Sequence, residues 1–104
     1  MTVNIKALHF DIAERLTDFI NKKAERLARH YPDLATFEVT LKVIKPETAM
    51  NKEATLAVTM PGSYEMVSNK VADTFEEAVD TCILAIERQL EKKKSQKGKS
   101  LNEE

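Results

Sequence analysis

The chain has 104 residues, 42 % hydrophobic and 32 % charged, and its 16 basic and 17 acidic side chains leave a formal net charge of −1. That is one domain's length, with too much apolar material for a disordered chain, and the near-neutral balance excludes any argument from global charge to a polyanion partner. The densest apolar run, Cys82 to Ile86, stops far short of the ~18 residues of a membrane span, a single cysteine forms no internal disulfide, and no Cys/His cluster has metal-ligand spacing.

Val3, Ile5 and Ala7 alternate with Thr2, Asn4 and Lys6, the period of a short strand with one buried face. Asp11, with Glu14 three positions on, resembles a capping box that opens a helix. Ala13, Leu16, Ile20, Ala24, Leu27 and Tyr31 then recur every three or four residues, widened by Ile12 and Phe19, until Pro32 and Asp33 stop the pattern. Phe37, Val39, Leu41 and Val43 form a second strand that Pro46 ends, and Ala54, Leu56, Val58 and Met60 a third that Pro61-Gly62 ends in a turn. The two are expected to pair as a hairpin. Tyr64 to Val71 reads as a fourth strand whose register stays open, because either Tyr64 and Met66 or Val67 and Val71 fit the inner face. Asp73 or Thr74 can cap a second helix striped by Phe75, Val79, Cys82, Ile83, Ile86 and Leu90.

The order β-α-β-β-β-α, with one apolar face per element, predicts an α+β two-layer sandwich. Two parallel helices would cover one face of a four-stranded mixed sheet, and a right-handed crossover would set the first strand parallel to the second. This resembles a double-stranded-RNA-binding domain with an added first strand. Residues 1–95 are expected to form the domain, and 96–104, rich in Lys, Ser, Asn and Glu, a flexible charged tail.

On the first helix Arg15, Lys22, Arg26 and Arg29, spaced 7, 4 and 3 apart, share one stripe, with Lys23 beside it and Glu14, Asp18 and Glu25 on a stripe of their own. A solvated helix with Asp18–Lys22 and Glu25–Arg29 pairs explains this without a ligand. The second helix is acidic at its start and basic at its end, with Arg88, Lys92, Lys93 and Lys94, as the helix dipole favours. Two parallel helices bring their basic C-terminal halves to one end of the molecule, where they are expected to add to one phosphate-binding patch. Lys42 and Lys45, near the end of the second strand, either extend that patch or simply face outward. Cys82 sits on the core stripe and reads as a packing residue, and no nucleophile or metal constellation can be assembled, so neither catalysis nor a cofactor is expected.

Several runs resemble a known pattern. They are Leu16, Phe19, Ile20, Lys23, Arg26, Leu27; Val39, Leu41, Lys42, Val43, Lys45; Ala54-Thr55-Leu56 with Val58 and Pro61-Gly62; and Ala78-Val79-Asp80 followed by Ile86-Glu87-Arg88-Gln89-Leu90. In this order they are similar to the short ribosome hibernation-promoting factors, the ribosome-associated inhibitor and sigma-modulation family. The resemblance implies binding to rRNA of the small ribosomal subunit, in the channel of messenger and transfer RNA, with inhibition of translation in idle cells. It carries basic family positions onto Lys23, Arg26, Lys42, Lys45, Arg88 and Lys92, to which the face argument adds Lys22, Arg29, Lys93 and Lys94. The family's acidic-Met-Tyr opening of the second helix stands here as Thr74-Phe75-Glu76, which adds negative charge near that surface. The C-terminal dimerisation domain of the long family members is not expected here, so the resemblance does not imply self-driven ribosome pairing.

The expectation is therefore a cytoplasmic, non-enzymatic ribosome-binding protein, monomeric when free, without membrane or small-molecule partner. A second reading, a protein-interaction module acting on a transcription or signalling partner, draws its best support from Leu84, on the side of the second helix away from its stripe. A third, an enzyme using Cys82, would require rapid labelling of the native thiol.

Overall fold

Period-two alternation and two apolar helical stripes give six elements in a computed structural model of the chain: β1 Thr2–Leu8, α1 Glu14–His30, β2 Thr36–Val43, β3 Lys52–Met60, β4 Tyr64–Ala72 and α2 Phe75–Glu103. The structure describes residues 1–45, 49–61 and 64–103, with side chains through Lys92 except that of Tyr64. Gly62, of the expected Pro61-Gly62 turn, lies outside them. The sheet order is β1-β2-β3-β4, with β1 parallel to β2 and the other pairs antiparallel, so the two-layer α+β arrangement is as expected.

In β2 and β3 every second residue is fully buried: Phe37, Val39 and Leu41 lie against Ala54, Leu56 and Val58. Leu16, Ile20, Ala24 and Leu27 of α1 and Val79, Cys82, Ile86 and Leu90 of α2 close this core from one side. Register resolves the ambiguity in β4. Val58 stands opposite Met66 and Leu56 opposite Ser68, and residues opposed across antiparallel strands share a face. Met66, Ser68 and Ala72 therefore point at the helices, while Val67 stays 50 % exposed on the outer face. The inward Ser68 has a reason that alternation cannot display. Cys82 of α2 lies over it, and its thiol donates to the carbonyls of Ala54 at 3.2 Å and Ser68 at 3.5 Å, so small side chains beneath let the helix approach. Burial pushes the Cys82 thiol up, opposed more weakly by the Ser68 side chain, the backbone of Lys70 and Leu56 and the charge of Lys70; it stays protonated, which suits a packing residue.

The helix starts differ from expectation in one case. Thr74 caps α2, its Oγ1 accepting the Glu77 N–H at 3.1 Å, while Asp73 Oδ1 accepts the N–H of Met50 at 2.7 Å and ties down the β2–β3 connection. Asp11 does not cap α1. The cap position belongs to Ala13, extended at ψ 144° and without a side-chain bond, its carbonyl accepting from Leu16 and Thr17. Phe10 explains the shift: its ring stacks on Phe75 at 5.0 Å, fastening the approach to α1 onto the start of α2 and leaving Asp11 two residues short of the cap. Packing overrides local propensity there. α1 meets the edge strand β1 only sparsely, leaving a cleft of about 600 Å³ lined by Met1, Val3, Asn21, Glu25, Ala28 and Arg29, whereas α2 lies broadly over β3 and β4. The α2 backbone remains helical to Glu103, past Leu90, the last buried side chain among those described, and through the segment that composition reads as a tail.

Candidate nucleic-acid interface

Two contacts fix how the helices lie. Lys23 Nζ pairs with Asp80 Oδ1 at 3.0 Å, and the Tyr31 hydroxyl donates to Glu91 Oε2. Both helices advance in the same direction between these contacts, so they are parallel, and the C-terminal end of α1 lies beside α2 at Glu91, from where α2 continues to Glu103. The stripe of Arg15, Lys22, Arg26 and Arg29 is exposed on α1, with Arg29 at the cleft beside β1 and Arg26 on the side of α2. On α2, Arg88 and Lys92 are exposed at the level of the end of α1. The side chains of Lys93 and Lys94 lie outside those described.

The basic residues do not merge into one field. Between them runs a ridge that sequence reading did not single out: Asp80, Leu84, Glu87 and Glu91, spaced 4, 3 and 4 apart and so on one line of α2. Its spacing was legible, but the dipole argument absorbed Asp80 into the acidic helix start and left Glu87 and Glu91 aside. Asp80, Leu84 and Glu87 form one wall of a groove of about 280 Å³, with Ile83 beneath and Lys23, Arg26 and Leu27 on the α1 side. Arg88, one residue and about 100° beyond Glu87, turns away from this groove. Two cationic rims thus flank a groove whose own four charges cancel.

Among the described residues, Lys23 is the least exposed of the expected cations. It is 30 % exposed, paired with Asp80, and its ammonium lies 5.2 Å from the centre of the Phe19 ring. Lys42 and Lys45 do not extend the patch at the helix ends. α1 finishes at His30 and β2 sets out from Thr36 at that same end, so Lys42, six residues along at ~3.3 Å each, stands about 20 Å away near the starts of both helices. It also alternates with buried Leu41 and so faces outward, opposite Glu53 on β3. Of the expected set, the structure brings together Lys22, Lys23, Arg26, Arg29, Arg88 and Lys92, and sets Lys42 and Lys45 apart.

Burial, the bond to Glu91 and the charges of Glu91 and Glu87 push the Tyr31 phenol up to about 12 from an ordinary 10.0. The unfolded chain then loses this proton at lower pH than the native one, so stability falls as pH rises from about 10 to about 12. Tyr31→Phe is expected to flatten that alkaline limb in urea titrations run across the range. An unaltered limb would assign the loss to other groups.

Among the described residues no group of His, Cys, Asp and Glu could hold a metal, and no helix is long and apolar enough to cross a membrane. The family model of the Sigma 54 modulation protein / S30EA ribosomal protein matches residues 3–97. A ribosome hibernation promoting factor of Pseudomonas putida is 32 % identical over 94 residues, covering 90 % of this chain and 87 % of the relative. One from Azotobacter vinelandii is also 32 % identical, with 90 % and 83 % covered. In fold, the chain is similar to a ribosomal subunit interface protein from Coxiella burnetii, with a TM-score of 0.80 at 22 % identity over 91 % of this chain and 99 % of that one. It is similar as well to the N-terminal domain of Protein Y from Thermus thermophilus, at 0.71 and 21 % over 88 % and 98 %.

Proposed function

Because the chain belongs to the Sigma 54 modulation protein / S30EA ribosomal protein family, a family of ribosome hibernation factors, we propose that it binds the small ribosomal subunit in the channel of messenger and transfer RNA and blocks translation in idle cells. The observation that carries this reading is the pair of cationic rims, Lys22, Arg26 and Arg29 on α1 and Arg88 and Lys92 on α2, exposed at one end of parallel helices in a protein of net charge −1. Such rims suit the phosphate backbone of rRNA, which binds through counterion release and fixes orientation without reading sequence. Lys23, once drawn from Asp80, and Lys93 and Lys94 join this surface in the reading. Lys42 and Lys45 meet RNA from a second side, as the walls of a channel would allow.

The protein acts by occupancy and not by catalysis. The binding unit is residues 1–95, with 96–104 as an appendage, and its location follows the cytoplasmic ribosome. Sedimentation of the purified protein with small subunits through sucrose, at low and moderate salt, tests the reading together with translation by the same mixture. Co-migration that weakens steeply with salt, and loss of translation, are the expected results. Protein left at the top of the gradient at low salt would overturn it. A protein partner captured through nuclease and high salt would favour instead the interaction module to which Leu84, 53 % exposed, lends support.

A further inference from the structure

The groove between the helices is poorly suited to the ligand that the rims attract. Lys23 and Arg26 on one wall face Asp80 and Glu87 on the other, and Lys23 is already held by Asp80. A phosphate entering there would gain no net charge attraction and would meet two carboxylates. Other features call for a different occupant. Leu84 stands 53 % exposed between Asp80 and Glu87, with Leu27 and Ile83 below it. Arg26 and Glu87 carry no ion pair or side-chain hydrogen bond among the described residues, and they lie on opposite walls. A planar group with apolar faces and a polar edge complements all of this: the faces meet Leu84 and the guanidinium plane of Arg26, and edge N–H groups donate to Glu87. The volume, about 280 Å³, lies just under the roughly 300–1,000 Å³ of pockets for drug-sized ligands and so suits one small heterocycle.

We propose that this groove is a nucleobase site, taking one unstacked base of single-stranded RNA while the phosphates on either side of it follow the cationic rims. The proposal rests on the RNA-binding reading of the rims and adds base recognition to it. A carboxylate acceptor discriminates among bases. Guanine presents two adjacent donors, N1–H and the N2 amino group, whereas the single N3–H of uracil is flanked by two carbonyls that the carboxylate repels. Guanine is therefore the preferred occupant.

Three labelled twelve-nucleotide RNAs test this by fluorescence anisotropy, compared at matched salt and repeated across a salt series: oligouridylate, the same strand with one central guanosine, and the same strand with an abasic residue there. The expected order of affinity is guanosine, then uridine, then abasic, with about tenfold between the first and last. Leu84→Ala and Glu87→Gln, both at positions outside the sealed core, are expected to erase most of that difference while leaving the salt dependence of oligouridylate binding in place. Equal affinity for the guanosine and abasic strands, or an undiminished difference in both variants, would overturn the proposal. Binding of ribosomes without base dependence would sink the groove alone; failure to bind either ribosomes or any of the oligomers would sink the RNA reading with it.

Discussion

Reversing Arg26, Arg29, Arg88 and Lys92 together to glutamate is expected to abolish association with the small ribosomal subunit, lowering affinity by a thousandfold or more. Each lost phosphate contact removes about 0.9 from the slope of log affinity against log salt, and four reversals replace attraction by repulsion on both rims. The fold should survive. All four side chains are exposed, and surface substitutions of this kind change stability by about 0.5 kcal/mol or less each. Sedimentation with subunits, beside a urea titration of the same variant, separates lost binding from lost structure. Reversal of Lys42 and Lys45, at the far end of the sheet, is expected to weaken binding much less. A quadruple variant that is folded and still co-migrates at low salt would move the interface off the helices.

The largest effect on stability is expected from Phe37→Ala. Phe37 is fully buried on a central strand, opposite Val3 on β1 and Val58 on β3. Truncating a buried phenylalanine typically costs about 3–5 kcal/mol, part transfer free energy and part cavity, against a total of about 5–15 kcal/mol for a domain of this kind. The variant should unfold at markedly lower urea. Val67→Ala, on the outer face of β4, should be nearly silent by the same measurement. Comparable losses at the two positions would mean that the outer face is covered in solution.

These two sites also mark where sequence reading succeeds and where it stops. Phe37, Val39 and Leu41 alternate cleanly with polar residues, so the buried face of β2 was legible from spacing alone, and its direction from the crossover rule. In β4 the alternation carries valine on the wrong face and serine on the right one, because what selects the inward residue is room beneath Cys82, a tertiary fact. The start of α1 was misread for a similar reason: Asp11 has the chemistry of a cap, but stacking of Phe10 on Phe75 decides where the helix begins. Among the cations, a shared end for the two helix stripes followed from topology. The division between them did not, since Asp80, Glu87 and Glu91 acquire their meaning only when Lys23 and Tyr31 of α1 are set against them.

The parallel pairing of β1 with β2 has a consequence for how the molecule comes apart. Thr2 meets Thr36, 34 positions away, whereas each antiparallel pair joins strands adjacent in the chain. Closing the longer segment costs more entropy, and it depends on α1 being formed in between. With the 600 Å³ cleft beside it, α1 also has less to hold it against the sheet edge than α2 has over β3 and β4. The N-terminal strand and helix are therefore expected to form a unit that opens first and closes last around a more durable meander of β2 to β4 with α2. Native-state hydrogen exchange should find amides of β1 and α1 exchanging together, ahead of those of β3. The helix bearing Arg26 and Arg29 would then belong to the yielding half of the protein, and a rigid polyanion gripping both rims would lock the two halves into one.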